Sequence, residues 1–231
     1  MTASDDAPRA LLAWSSGKDS AWSLHVLREA AVRDPRAPRV VGLLTTVNET
    51  HGRVAMHAVR RELLASQAAA AGLPLLEVAI PSPCSNAEYE RAMATAMARA
   101  RGDGIAHVAF GDLFLRDIRR YREEKLVGTG ITPLFPLWGR PTRALAEEML
   151  AGGLVAHLTA VDPRQIAGRF AGRRFDRALL DELPPGADPC GENGEFHTFV
   201  SAGPMFSRPL AVRTGEIVTR DGFVFADVLP A

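Results

Sequence analysis

The sequence predicts an α/β fold, with a parallel sheet that carries helices on both faces and a smaller C-terminal α+β lobe. Short apolar runs alternate four times with helical stretches over about the first 130 residues. Such alternation implies a parallel sheet with right-handed crossovers. After about Thr132 the chain becomes rich in turns. Its 231 residues suffice for one main core and a smaller lobe.

The first half contains four predicted strands and four predicted helices. The strands are short, β-branched or apolar runs, and the helices show apolar residues at helical spacing. Gly72 and Gly102 are expected to stop two of the helices, and Asn86 is expected to cap one. The strands are expected at 10–14, 39–47, 74–80 and 104–112, and the helices after residue 20 and over 52–73, 86–102 and 116–130.

The second half reads as a separate, smaller unit. Proline-rich turns lead into one helix before residue 150, a strand-like run follows at 152–162, and a short helix is expected near Asp176–Glu182. Residues 215–230 form a predicted hairpin that turns at Asp221–Gly222. We therefore expect a first domain over residues 9–131 and a C-terminal lobe over residues 132–231.

Composition excludes several classes of function. Lys plus Arg and Asp plus Glu both number 27, so the formal net charge is zero, which disfavours nucleic acid as a partner. Two cysteines are too few for a disulfide framework. The polar N-terminus is no signal peptide, and no apolar run suits a membrane span. We expect a cytoplasmic protein, and the sequence leaves a homodimer open.

The stretch WSSGKDSAW, residues 14–22, lies between the first predicted strand and helix. A helix N-terminus offers free backbone N–H groups and partial positive charge, and therefore binds anions. Gly17 allows close backbone approach, and Lys18 adds a full charge, one of only two lysines among the 27 basic residues. Hydroxyl donors come from Ser15, Ser16 and Ser20. Together these groups suit the polyphosphate of a nucleotide.

The spacing in this stretch fits neither of the common phosphate-binding loops. It is not G-x-x-x-x-G-K-[ST], nor G-x-G-x-x-G. Asp19 suits an anion site only if it binds Mg²⁺ or orients a neighbouring group. A serine-rich helix cap without any ligand remains the alternative on spacing alone.

The stretch SSGKDS closely resembles the S-G-G-K-D-S signature of the PP-loop ATP pyrophosphatases, or adenine nucleotide alpha hydrolases. Ser16 stands where that signature has its first glycine. The resemblance implies a Rossmann-like, PP-loop/HUP-like fold. It also implies ATP bound at this loop with its α-phosphate exposed to attack by a substrate oxygen, which releases pyrophosphate.

Two downstream tracts resemble signatures of the diphthine–ammonia ligase family. Residues 111–138, GDLFLRDIRRYREEKLVGTGITPLFPLW, match G-A-I-x-S-x-Y-Q-R-x-R-x-E…L-x-P-L-W, and residues 190–199, CGENGEFHTF, match C-G-E-G-G-E-Y-E-T. With the loop, the resemblance runs from about Leu11 to Phe206. The retained positions are Gly111, Arg119, Glu123, Leu134, Leu137, Trp138, Cys190, Gly191, Glu192, Gly194, Glu195 and Thr198.

Five positions depart from these signatures in tracts that should face the acceptor. Asp117 replaces Tyr, Ile118 replaces Gln, Tyr121 replaces Arg, Asn193 replaces Gly, and His197 replaces Glu. The arginine-rich composition suggests a bacterial chain, and bacteria are not expected to make diphthamide. The resemblance therefore implies the ATP chemistry and leaves open whether the acceptor is diphthine or a different carboxylate.

The resemblance implies an AMP-forming amide ligase that uses ATP and Mg²⁺. A carboxylate acceptor, on a protein side chain or a small molecule, would be adenylated and then attacked by ammonia. ATP is assigned to Ser15, Ser16, Gly17, Lys18, Asp19, Ser20, Gly111 and Asp112, with Mg²⁺ at Asp19 and Asp112. Catalysis is assigned to Lys18, Asp19, Glu192 and Glu195, and substrate binding to His57, Arg119, Glu123, Asn193, Glu195, His197 and Thr198.

Two other functions remain open at this stage. One is an RNA-modifying PP-loop enzyme, which a basic cleft leading to the loop would favour. The other is a non-catalytic sensor that binds adenine nucleotides without turnover. Cys84 and Cys190 could suggest sulfur transfer, but the chain has no Cys-x-x-Cys pair, and Cys190 is expected to serve packing.

Overall fold

A computed structural model describes residues 7–48, 53–54 and 59–231. The first part of the chain forms a sheet in which five strands are parallel, in the order β4-β2-β1-β5-β6. A short strand, β3, pairs antiparallel with β2. The strands are β1 Arg9–Ala13, β2 Arg39–Asn48, β3 Arg53–Val54, β4 Leu75–Ile80, β5 Ile105–Ala109 and β6 Thr132–Leu134.

Helices connect these strands and cover both faces of the sheet. Strand β1 lies in the middle of the strand order, so the connection after it leaves the sheet at the switch point, where such folds bind ligands. The helices are α1 Lys18–Arg33, α2 Arg61–Ala71, α3 Asn86–Gly102, α4 Arg116–Leu126 and α5 Thr142–Ala151.

The C-terminal part forms a second sheet, antiparallel, in the order β8-β7-β10-β9. Asp221 and Gly222 both have positive φ and make the tight turn of its hairpin. The elements are β7 Val155–Val161, a 3₁₀ turn Gly168–Phe170, α6 Arg177–Glu182, β8 Phe196–Ala202, β9 Val212–Arg220 and β10 Phe223–Pro230.

Two hydrophobic cores stabilise the molecule. The larger core runs without a break from β1, α1 and α2 into α5, β7 and β8, and therefore joins the two sheets. The smaller core packs α3 and the end of α4 against the opposite face of the parallel sheet. In the described part of the chain, no helix combines the length and apolarity needed to span a membrane.

The predicted fold class is confirmed, since a parallel sheet flanked by helices is joined to a small antiparallel sheet. The four predicted strands, the short helix after Asp176 and the C-terminal hairpin are all present. The division into residues 9–131 and 132–231 stays a prediction. Strand β6, just after that boundary, is hydrogen-bonded to β5 of the parallel sheet.

Several element boundaries were wrong. The helix expected over 52–73 begins only at Arg61, because residues 53–54 pair with the end of β2. Ser85 caps α3 in place of Asn86, since its hydroxyl accepts from the Glu88 amide and completes a capping box. The sequence patterns missed β6 and β8 altogether.

Candidate functional site

A cavity of about 770 Å³ opens at the carboxyl ends of the parallel strands. Residues in the second half of β2 and segments that follow β1, β4 and β5 line it, as expected for a doubly wound sheet. The loop 190–198 of the C-terminal lobe closes one side. The predicted site residues that line it are Ser15, Gly17, Lys18, Asp19, Ser20, Gly111, Asp112, Glu192, His197 and Thr198.

The loop Ser15–Ser20, hereafter called the nucleotide loop after the ligand that its sequence predicts, has an unusual backbone at Ser16. Ser16 is fully buried and has φ of 72°, in the left-handed region that favours glycine. Its carbonyl oxygen accepts a hydrogen bond from the Val200 amide at 3.0 Å, and its hydroxyl has no partner. This backbone conformation explains why the S-G-G-K-D-S signature, which the loop resembles, has glycine at this position.

Serine hydroxyls fold the rest of the nucleotide loop onto itself. The Ser20 hydroxyl donates to the Gly17 carbonyl oxygen at 3.0 Å, and the hydroxyls of Ser15 and Ser20 lie 3.2 Å apart. Gly111, after β5, packs directly on this loop. A Cβ atom there would lie 3.0–3.2 Å from backbone atoms of Asp19 and Ser20. Gly111 thus allows the loop to approach the end of β5.

Lys18 is buried between the nucleotide loop and the C-terminal lobe. Its ammonium donates to an Asp19 carboxylate oxygen at 2.7 Å and to the Cys190 carbonyl oxygen, and it lies 5.5 Å from the Phe196 ring centroid. Burial acts to lower the pKa of Lys18, but the carboxylates of Asp19 and, further away, Glu192 outweigh burial and raise it. Lys18 is therefore charged, with one of its three donors left for a ligand.

The two predicted Mg²⁺ ligands, Asp19 and Asp112, bind different partners. Asp112 forms a bidentate ion pair with Arg122, at 2.6 and 3.1 Å. Asp19 binds Lys18 through one oxygen, and its other oxygen is buried without a partner. Over the described ranges, no three His, Cys, Asp or Glu side chains converge as metal ligands do. A metal at this site would therefore need phosphate oxygens among its ligands, which is how Mg²⁺ often binds.

Glu192 links the C-terminal lobe to the parallel sheet. Its carboxylate accepts a hydrogen bond from the Leu113 amide at 2.7 Å, beside the cavity. Burial raises the pKa of Glu192 to about 7, and the nearby Asp19 and Asp112 carboxylates act in the same direction. The Leu113 amide and the Lys18 ammonium act against them. Glu192 can therefore exchange a proton near neutral pH.

Glu195 supports the loop 190–198 from within. It is 1% exposed, and one carboxylate oxygen accepts from the Asp188 amide at 2.7 Å and from the Asn193 side chain at 3.1 Å. Its other oxygen is buried without a hydrogen-bond partner. Neither Glu195 nor the exposed Asn193 lines the cavity. Their geometry suits the shaping of the loop.

Strand β8 brings two further predicted residues to the cavity. The Thr198 hydroxyl accepts a hydrogen bond from the Lys18 amide at 3.0 Å, which fixes the start of α1 against the C-terminal lobe. His197 lines the cavity, and burial together with the Lys18 charge lowers the pKa of its imidazole. A neutral imidazole can accept as well as donate a hydrogen bond there.

Helix α4 carries its predicted residues away from the cavity. Arg119 donates to Glu123 at 2.7 Å and lies 4.7 Å from the ring centroids of both Phe135 and Trp138. Neither Arg119 nor Glu123 lines the cavity. Ile118, where the family signature has Gln, does line it. His57 lies outside the described residues.

Sequence patterns missed several groups of the site. Gln67 of α2 hydrogen-bonds the nucleotide loop, Arg122 holds Asp112, and Phe175 lies under the Lys18 ammonium. Each of these contacts joins residues that are distant in the chain or that carry no motif.

Comparisons with known proteins agree with this geometry. A family model described as "Diphthamide synthase C-terminal domain" matches residues 141–227. That range includes α5, β7, β8 and the loop 190–198. It therefore covers the part of the cavity wall that the C-terminal lobe provides.

Curated relatives named "Diphthine--ammonia ligase" are similar to about half of the chain. The protein from Rattus norvegicus is 32% identical over 120 residues, which cover 49% of this chain and 45% of the relative. The one from Danio rerio is 32% identical over 123 residues, covering 49% and 47%, and the one from Bos taurus is 30% identical over 120 residues. The chain spans about half the length of the curated relatives it matches. The family-model match and these similarities make about half of the chain similar to diphthine–ammonia ligases.

Proposed function

We propose that this protein is an ATP-dependent ligase that makes an amide from a carboxylate and ammonia. In this reaction the acceptor carboxylate attacks the α-phosphorus of ATP, and pyrophosphate leaves. Ammonia then attacks the activated carbonyl carbon, and AMP leaves. The observation that carries the proposal is the buried Lys18, charged and joined to both the nucleotide loop and the Cys190 carbonyl beside Glu192.

The position and charge of the nucleotide loop suit a polyphosphate. The loop lies at the N-terminus of α1, where partial positive charge favours anions, and its Gly17 and Lys18 amides already donate to the hydroxyls of Ser15 and Thr198. Lys18 adds a charge whose third donor is available, an electrostatic role toward negative charge that develops during transfer. The unpartnered oxygen of Asp19 is suited to share a Mg²⁺ ion with phosphate oxygens. Such an ion would supply charge neutralisation when bound.

Glu192 is suited to act as the base toward ammonia. Ammonium must lose a proton before its nitrogen can attack, and a carboxylate with a pKa of about 7 accepts a proton efficiently near neutral pH. The Leu113 amide fixes the orientation of the carboxylate. We assign Glu195 and Asn193 to shaping the loop, and Thr198 to fixing the start of α1.

The acceptor is proposed to differ from diphthine. Two of the five departures from the family signatures, Ile118 and His197, line the cavity itself. Ile118 replaces a polar amide with an aliphatic side chain, and His197 replaces a carboxylate with an imidazole of lowered pKa. Both changes remove groups that would bind a cationic acceptor. The acceptor is therefore a carboxylate without a positive charge close to the reacting carbon.

The direct test is pyrophosphate release from ATP-Mg²⁺ with ammonium and a panel of carboxylates, which would be followed in the wild type and in Glu192→Gln. We expect release that depends on one class of carboxylate, with ¹⁵N from ammonium recovered in an amide. In the wild type the rate should fall as the pH drops through about 7, and Glu192→Gln should lose this step. Tight AMP binding with no pyrophosphate release from any acceptor would contradict ligation and support a nucleotide sensor.

A further inference from the structure

Gln67 is a buried polar residue that the proposed chemistry does not use. It lies on α2, is fully buried, and faces the junction of β1, the nucleotide loop and β8. A buried amide needs partners for its oxygen and its two N–H groups, because an unpaired polar group costs about 1–3 kcal/mol. Gln67 has a partner for each of them.

The three partners of Gln67 come from three different segments. Its oxygen accepts from the Trp14 indole N–H at 2.9 Å. Its nitrogen donates to the Ser16 carbonyl oxygen at 3.1 Å and to the Val200 carbonyl oxygen at 2.7 Å. One side chain thus joins the end of β1, the nucleotide loop and the C-terminal lobe.

The contact with Ser16 involves the one residue of the loop whose backbone is strained. A non-glycine residue at φ of 72° needs surrounding contacts to hold it, since it is less stable there than in the common regions. The Ser16 carbonyl oxygen is held by two donors, the Gln67 amide and the Val200 amide. Losing one of them would let Ser16 relax and move the amides of Gly17 and Lys18.

We propose that Gln67 is a positioning residue that holds the nucleotide loop in its anion-binding conformation. It acts through Ser16 and touches no reacting atom. Its consequence for ATP rests on the proposed function, whereas its effect on the loop backbone does not.

Other contacts between α2 and the C-terminal lobe provide a matched control. The Ser207 amide and hydroxyl both bind the Ala70 carbonyl oxygen, at 2.8 and 3.0 Å. Ser207 therefore joins the same helix to the same lobe without touching the nucleotide loop. Ser207→Ala removes one side-chain hydrogen bond of this junction. If Gln67 only stabilised the junction, replacing Gln67 would have the same effect as Ser207→Ala.

The first experiment is hydrogen exchange on the ligand-free protein, comparing Gln67→Leu, Gln67→Glu and Ser207→Ala. Gln67→Glu keeps an acceptor for Trp14 but loses the donors to Ser16 and Val200. We expect both Gln67 variants to speed exchange of the amides at 14–20 by about tenfold or more, with the hairpin β9–β10 unchanged. Ser207→Ala should leave residues 14–20 within about twofold of wild type. Equal acceleration throughout the chain, or none at 14–20, would overturn the proposal.

The second experiment is a double-mutant cycle in ATP-Mg²⁺ affinity. Glycine adopts the backbone of Ser16 without support, so Ser16→Gly should recover about fivefold of the affinity that Gln67→Leu loses, and change the wild type by less than about twofold. Additive effects would contradict coupling through Ser16. Absence of ATP binding to the wild type would contradict the proposed function, and hydrogen exchange would still decide the role of Gln67.

Discussion

The nucleotide loop and helix α4 both lie in tracts that resemble family signatures, yet their charged groups have different surroundings. Lys18 is buried and is held by Asp19, the Cys190 carbonyl oxygen and two aromatic rings. In α4, Arg120 is exposed and pairs with Asp117 and Glu124 at the surface. A motif can therefore contain residues that bind a ligand or residues that stabilise the binding site. Burial and contacts with residues distant in the chain distinguish the two kinds.

The motif residues in and around α4 mainly stabilise the surroundings of the site. Arg119 packs on Phe135 and Trp138, which are residues of the same motif, and Gly111 gives the nucleotide loop room against β5. From this region, Gly111, Asp112, Leu115, Ile118 and Arg122 line the cavity. The reacting groups that we propose come from the nucleotide loop and from the loop 190–198.

The largest expected effect comes from replacing Lys18. Lys18→Met keeps the volume but leaves the Asp19 carboxylate and the Cys190 carbonyl oxygen without their cation. We expect a loss of about 3 kcal/mol in the free energy of unfolding and about 100-fold in pyrophosphate release. Urea denaturation and the release assay measure these. Lys125→Met is the matched control, because Lys125 pairs with Glu90 at the surface, and it should change stability by less than about 1 kcal/mol.

Glu192→Gln should make stability less dependent on pH. The pKa of Glu192 is raised from 4.5 to about 7 in the folded protein. Between these values the folded state holds a proton that the unfolded state has lost, so wild-type stability falls as the pH rises through this range. Glutamine removes that fall and still accepts from Leu113.

We expect Glu192→Gln to be about 2 kcal/mol more stable than wild type at pH 8 and nearly equal to it at pH 4.5, after allowance for solvent screening. Urea denaturation at the two pH values measures the difference. Glu124→Gln, which removes an exposed carboxylate 3.9 Å from Arg120 on α4, controls for the loss of one negative charge. A constant difference between Glu192→Gln and wild type across this range would contradict a shifted carboxyl.

Ser16→Gly should stabilise the ligand-free protein by about 1 kcal/mol. Glycine adopts the left-handed backbone without strain, and the substitution removes a buried hydroxyl that has no partner. These two gains outweigh the added flexibility of the unfolded chain. Thermal unfolding would show a higher midpoint. Gly72, at φ of 66° in the C-cap of α2, offers the reverse control: Gly72→Ser should destabilise.

Arg120→Ala should have the smallest effect. Its pairs with Asp117 and Glu124 are exposed, at 2.8 and 3.9 Å, and surface pairs contribute about 0.5 kcal/mol or less. ATP affinity and unfolding midpoint should both stay at wild-type values. A large loss of ATP affinity in this variant would mean that α4 takes part in binding, which would contradict the distinction between α4 and the nucleotide loop.

The fold class and the strand-to-helix junction at residues 14–20 could be predicted from the sequence, because strand–helix alternation and a glycine-lysine junction are local patterns. Nucleotide binding at that junction stays a prediction. Strand β6 escaped notice since it has three residues, one of them Pro133. Strand β8 follows the glycine-rich loop 190–194 and looked like a continuation of its turns. The roles of Gln67 and Arg122 depend on contacts across 51 and 10 residues of chain, which no local pattern encodes.

The most direct test of the account is a calorimetric titration of wild type, Lys18→Met and Lys125→Met with ATP-Mg²⁺. The account predicts that wild type and Lys125→Met bind one ATP per chain with equal affinity, and that Lys18→Met loses at least about 100-fold. Equal affinity in Lys18→Met, or no binding to the wild type, would contradict a nucleotide site at the loop Ser15–Ser20.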